Sequence, residues 1–351
     1  MRKTYFQIAI AGGLLSLLPM AASAQSSVTI GGIFGLGVAS ISGAQIGTST
    51  YTAKSRLVTV AQDSKVPSRL VFRGTEDLGG GMTAFFLLDK GFNGDDGTDT
   101  LGGAQRETLV GLRGSFGAVT LGRQFHPLFN VRDDFDPTAD SSNLMVSAAF
   151  RMNNSVMYRT PVAGGFWAKF AYGFGEVSGS DAASRAVGAY IGYEKGPLAA
   201  KFGFNNLNDN TGLNSAKNTL MGASYNFGMA TLFGEYGLNK GVIAGGNYVV
   251  ADSTDSLLGV RVPYGANTFA VSFIRKDDKT ATNADASQLQ IYYGHSLSKR
   301  TTLYSIYTKI NNSATSNFTT SHAPSAPTAA QFALGARPAD TELSAGIRHS
   351  F

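Results

Sequence analysis

The chain has 351 residues, with 43 Gly, 23 Phe and 14 Tyr but one Trp, and only 15% of its residues are charged, against about 25% in ordinary soluble domains. Its formal charge is +5, and the basic residues are scattered, which speaks against nucleic acid as a partner. It has no cysteine, which excludes a disulfide scaffold.

The first residues read as a secretory leader. Arg2 and Lys3 precede an apolar stretch from Ile8 to Leu18, Pro19 breaks it, and Ala22-Ser23-Ala24 fits a small-residue cleavage pattern. The expected organisation is therefore a signal peptide over 1–24 and one domain over 25–351. Arg2 and Lys3 leave with the leader, so the formal charge falls from +5 to +3. After the leader no apolar run is long enough for a spanning helix.

Beyond residue 25 helical spacing is scarce and period-two alternation is frequent. The pattern predicts strands at 28–40, 66–76, 81–92, 104–114, 117–125, 150–160, 165–176, 184–195, 198–206, 217–227, 229–239, 253–263, 267–276, 287–297, 301–311 and 341–351. Phe166, Ala168, Phe170, Tyr172 and Phe174 share one face of their strand; Leu343, Ala345, Ile347, His349 and Phe351 share one face of the last. The connections alternate short and long. Glu76 to Gly80, Gly114 to Phe116 and Gly196-Pro197 are short, whereas 41–65, 93–103, 126–149 and 312–340 are long. Short turns on one side and long loops on the other mark a transmembrane barrel, in which only alternate residues face lipid and mean hydropathy stays near neutral. An open sheet edge is not tolerated in lipid, because each unpaired backbone group there costs several kcal/mol. The expected fold is all-β, a 16-stranded antiparallel transmembrane β-barrel, wide enough to leave an aqueous lumen.

Several charged residues bear on that lumen. In Ser68-Arg69-Leu70-Val71-Phe72-Arg73, Leu70 and Phe72 take the lipid face, so Arg69 and Arg73 point inward. Arg106 opens the fourth strand. Arg151 opens the sixth, on the parity of Asn153, Ser155 and Arg159 and opposite Phe150, Met152, Val156 and Tyr158. An arginine at mid-membrane on the lipid face costs about 2–4 kcal/mol, so the lumen is its place. Arg69, Arg106 and Arg151 are then either one positive wall or three unrelated solvated arginines. The third connection, His126 to Ala149, carries Asp133, Asp134, Asp136 and Asp140, with Pro137 stiffening it. Folded inward, it sets carboxylates against the arginines and narrows the pore; otherwise it is an external acidic loop. Arg123 shares parity with Val119 and Leu121 and points out of the barrel, which suits a subunit contact.

The stretch Ser68-Arg69-Leu70-Val71-Phe72-Arg73-Gly74-Thr75-Glu76-Asp77-Leu78-Gly79-Gly80-Gly81 resembles the second strand and turn of Gram-negative general porins, the beta-proteobacterial branch above all. Thr120-Leu121-Gly122-Arg123-Gln124 and Gln25-Ser26-Ser27-Val28-Thr29-Ile30 are similar to the same family. The resemblance implies short periplasmic turns, long external loops, a third loop folded into the pore and a homotrimer. It matches Arg69, Arg106 and Arg151 to the family's constriction cluster and Arg123 to an arginine near the trimer contact. Phe351 looks like the signal read by the barrel-assembly machinery. The third-loop aspartates fall in the family's acidic segment, although the loop departs from the enterobacterial pattern. The second loop, Asn93 to Gly103, is placed against a neighbouring subunit through Asp95, Asp96 or Asp99. Outer-membrane lipid, lipopolysaccharide and small solutes and anions in transit are the implied partners.

Other chemistry finds no support. Gly35-Leu36-Gly37 is a lone Gly-x-Gly with Ser40 in place of the third glycine. His126, His295, His322 and His349 lack metal-ligand spacing. Asp95-Asp96-Gly97 lacks the rest of a calcium loop, and no serine sits in a nucleophile elbow. No metal, cofactor or enzymatic activity is expected. The leading reading is a passive diffusion channel with mild anion preference. The alternatives are a substrate-selective channel and a surface adhesin or receptor barrel.

Overall fold

The computed structural model describes residues 26–42, 56–63, 66–99, 106–138, 144–145, 151–241, 252–322 and 338–351, where it contains seventeen strands and one helix. The expected leader lies outside the described residues. In chain order the strands are β1 (Ser27–Ser42), β2 (Arg56–Gln62), β3 (Arg69–Gly79), β4 (Met82–Gly91), β5 (Glu107–Gly114) and β6 (Gly117–Phe125). The helix α1 (Pro127–Phe135) follows, then β7 (Arg151–Arg159), β8 (Phe166–Gly173), β9 (Ala186–Lys195), β10 (Leu198–Asn208), β11 (Ser215–Asn226) and β12 (Thr231–Lys240). The last five are β13 (Ser253–Tyr264), β14 (Asn267–Asp278), β15 (Ala286–Ser296), β16 (Thr301–Asn312) and β17 (Thr341–Ser350).

From β3 to β17 each strand pairs antiparallel with the next. The ring closes where β1 meets β17, from Ile33 opposite Ser350 to Ser42 opposite Thr341. The other edge of β1 is shared: Leu36 to Ser42 pair with β2 and Ser27 to Ile33 with β3. β2 and β3 therefore occupy one barrel position in two pieces, and the seventeen strands make a closed barrel of sixteen. Closure satisfies every edge strand within the sheet, as lipid requires. Phe351 completes the seam by exchanging backbone hydrogen bonds with Gly32, both at 3.1 Å.

The break in the second position is a correction: 41–65 is expected as one long loop, yet Arg56–Gln62 is a strand. Arg56-Leu57-Val58-Thr59-Val60-Ala61-Gln62 carries the β-branched run Val58-Thr59-Val60, yet it is short and Pro67 separates it from the next strand. At the break Ser68 replaces the missing ladder: its hydroxyl accepts from Gly35 N–H at 3.0 Å and lies 3.2 Å from Gly35 O.

The two faces of the sheet differ sharply. Phe202, Met221 and Tyr236 stand in register on β10, β11 and β12 and are 50%, 49% and 43% exposed. Their neighbours of opposite parity, Leu220, Phe233 and Glu235, are buried. Apolar side chains that face water on a soluble protein would be a liability; here they face lipid. The turns at one end are tight, such as Gly196-Pro197 between β9 and β10, where Gly196 takes φ +63°. At the other end the connections are long.

Candidate functional site

The third connection turns into the barrel at once. His126 caps α1 by accepting from Leu128 N–H at 3.4 Å, and Pro127 pre-sets the first turn. Leu128, Val131 and Phe135 recur at helical spacing and are all buried. They pack on Tyr190, Leu220, Phe233 and Leu257, residues of the parity opposite to the lipid face. α1 thus lies against the inner wall formed by β8 to β12. No helix was expected here; the signal was the Leu128, Val131, Phe135 spacing behind a proline, hidden in a loop rich in aspartate.

Glycines let the helix approach so closely. A Cβ on Gly222 would stand 2.3 Å from the Phe135 ring, and one on Gly188 would stand 2.2 Å from His126 Cε1. Beyond the helix, Arg261 donates to Pro137 O at 2.6 Å, and the Thr138 hydroxyl reaches Gln290 Oε1 at 2.8 Å. Lys276 donates to Leu144 O at 3.2 Å while pairing with Asp255 at 2.7 Å. Burial drives the His126 imidazole down to about 3, so it is neutral in its seat.

The three named arginines come together near the opposite wall. Asp89, on the inward parity of β4, lies 3.8 Å from Arg69 and 3.3 Å from Arg106. The Arg106 N–H also donates to Asp89 O at 2.8 Å. Arg151 stands over the Phe125 ring at 4.7 Å, and Arg106 over the same ring at 5.8 Å. Phe125 stacks on Phe129 of α1 at 4.4 Å. Arg151 has no carboxylate partner among the described residues.

Arg151 departs from the parity expected of its strand. Between Gly122 and Gln124 the ladder skips, so that Arg123 opposes both Asn153 and Asn154, and Asn154 takes φ +48°. This bulge inverts the alternation. Met152, expected toward lipid, packs inward with Met157 and Ala171. Arg151 reaches the cluster from the strand's end, not from the alternation.

The other expected residues separate. Asp134 forms an ion pair with Lys201 of β10. Asp133 is held above the usual carboxylate range, first by burial and then by Asp134. Asp136 is not at the water surface: it ends α1, is buried, and accepts from Thr138 N–H at 2.9 Å. Asp140 lies outside the described residues. Arg123 sits in the bulge and donates to Asn153 Oδ1. In the second loop Asp99 pairs with Lys90 at 3.1 Å and Asp96 accepts from Thr98 N–H at 2.8 Å; Asp95 is exposed. The Phe351 ring lies against Gly32.

Sequence reasoning overlooked Asp89, which inward parity with Phe85 and Leu87 could have found. It also overlooked Arg113 and Lys169, which with Arg159, already expected inward, line the same inner wall as Arg73, and the Asp63–Arg348 pair at the strand break, 2.5 Å long.

With this geometry in hand, the comparisons with known proteins are specific. A family model described as Gram-negative porin matches residues 9–315. Outer membrane porin protein 32 of Delftia acidovorans is 32% identical, over 96% of this chain and 99% of that one. An outer membrane porin of Bordetella pertussis is 27% identical over the full length of both. Among solved structures, an anion-selective porin from Comamonas acidovorans superposes with a TM-score of 0.76 at 30% identity, covering 93% of this chain and 100% of that one. The Salmonella typhi OmpF complex with daunomycin shares the fold at 15% identity and a TM-score of 0.67. A closed sixteen-stranded barrel with an apolar outer belt and a charged lumen, matched over nearly its whole length, places the chain in the Gram-negative porin family, as an integral channel protein of the outer membrane.

Proposed function

We propose that this porin passes small hydrophilic solutes by diffusion with a mild preference for anions, set at the cluster of Arg69, Arg106 and Arg151. The observation that carries the reading is the imbalance of that cluster: Arg69 and Arg106 share the single carboxylate of Asp89, and Arg151 rests on an aromatic ring. Fixed positive charge in a water-filled constriction raises the local concentration of anions. The α1 carboxylates offset it only in part, because Asp134 is already paired with Lys201. The structural neighbour named for anion selectivity is consistent with this. Asp133 and Asp134 are the acidic residues assigned to the pore side of the loop, with Asp140 six residues further along the chain. No catalytic role is assigned.

We further assign Arg123 to a subunit contact in a homotrimer, Phe351 to recognition by the barrel-assembly machinery, and the exposed apolar belt to outer-membrane lipid and lipopolysaccharide.

The test is the reversal potential of the refolded channel in a planar bilayer under a potassium chloride gradient. The sign should favour chloride, and Arg69→Gln with Arg106→Gln should move it toward zero or past it. A potential favouring potassium in the unaltered protein would contradict the assignment.

A further inference from the structure

On the inner wall, toward the short-turn end, lies a second group of cations. Arg113 of β5, Ala118 of β6, Arg159 of β7 and Lys169 of β8 form one transverse row, each opposite the next in the ladder. Arg73 of β3 faces the same cavity of about 360 Å³, which Thr120 and Gln124 also line. Glu107 lies opposite Asp89 in the ladder, and Arg113 is six residues further along β5, roughly 20 Å of strand, so the Arg113 end of the row is set apart from the Asp89 cluster.

Like charges directly opposed on neighbouring strands are destabilising, and Arg159 faces Lys169 in that manner. No carboxylate among the described residues forms an ion pair with Arg73, Arg113 or Arg159. The one carboxylate lining the cavity, Glu107, accepts from Phe125 N–H at 3.2 Å.

The arginines are nevertheless held in place. The Arg113 guanidinium lies over the Phe85 ring at 5.5 Å and that of Arg159 over Trp167 at 5.8 Å. Lys169 Nζ donates to Asn130 Oδ1 of α1 at 2.9 Å. A guanidinium fixed by its face keeps its N–H edge free, and that edge is a fork matched to two oxygens of one oxyanion. Chloride gains only the charge; a doubly charged oxyanion gains the forks as well.

We propose that this row is a discrete binding site for doubly charged tetrahedral oxyanions of the phosphate class, a second station for anions passing the channel. The site rests on the lumen admitting anions, as argued above, but uses none of the constriction arginines.

The experiment is single-channel recording in symmetric potassium chloride with phosphate added at about pH 8, where it is a dianion. Phosphate should reduce the chloride current saturably in the unaltered protein, and sulfate should do the same, whereas monovalent nitrate should not. In Arg113→Gln/Arg159→Gln the block should weaken by about tenfold or more. That variant should retain heat-modifiable migration and its reversal potential in plain chloride, because Arg69 and Arg106 are intact. Arg159→Lys, which keeps the charge and loses the fork, should fall between. Linear, non-saturating dependence on phosphate, equal block in the double variant, or full block in Arg159→Lys would overturn the site. Each of these leaves the chloride reversal potential, and with it the constriction reading, separately measurable.

Discussion

The lumen has two unlike walls. From β9 to β15 the inner face is covered by α1 and the residues after it, and its polar groups are spent on holding that cover. Lys276 binds Asp255 and Leu144 O, Arg261 binds Pro137 O, and Leu220 and Phe233 pack under Phe135. From β3 to β7 α1 leaves the inner face uncovered among the described residues, and its cations have rings or a shared carboxylate for partners. The same residue types thus do different things on the two sides. A lysine buried with a carboxylate is part of the structure; an arginine stacked on a ring in open water is available to a solute.

The comparison can be broken most forcefully at the covered wall. Lys276→Met should cost about 3–5 kcal/mol, the price of leaving a buried carboxylate without its partner, seen as a lower urea midpoint in lipid or detergent. An equivalent loss from Arg159→Met on the other wall would erase the difference between the two walls, since an exposed cation in water carries little stability.

A smaller effect is expected where the cover touches the wall. Gly222→Val has no room beside Phe135, so α1 must shift at a cost of about 1–3 kcal/mol. The barrel should still assemble, with altered conductance and a noisier open state. Unchanged conductance would mean that the helix is not seated as described.

The smallest effect sharpens the comparison through pH. His126 is neutral in its seat with a value of about 3, against about 6.5 when exposed. Its folded value is depressed, so below 6.5 the unseated chain takes up a proton that the seated one refuses. The seat is at full strength above about pH 6.5 and weakens from there toward pH 3, by roughly 1.4 kcal/mol at one unit below the upper limit. Closures of the channel should become more frequent at about pH 5, and His126→Gln should flatten that dependence. Identical pH profiles for the two proteins would remove His126 from the account.

Much of the barrel could be read from alternation, because the period of two reports which face meets lipid and needs no knowledge of neighbours. Phe166 to Phe174 and Leu343 to Phe351 show it plainly. It failed wherever local geometry departs from a regular strand. The bulge at Asn153 and Asn154 inverted parity before Arg151, and the Ser68 bridge to Gly35 split one barrel position into β2 and β3.

The amino-acid order alone determined the membrane class, the strand number of the barrel and the inward placement of Arg69, since each follows from periodicity and the cost of a charge in lipid. Only the tertiary structure decided that Asp89 stands between Arg69 and Arg106, that Asp136 is buried, and that Arg113, Arg159 and Lys169 share one row. Those facts depend on register between strands and on the path of α1. Register is a relation between distant segments, set by closure of the whole ring, so no local pattern carries it.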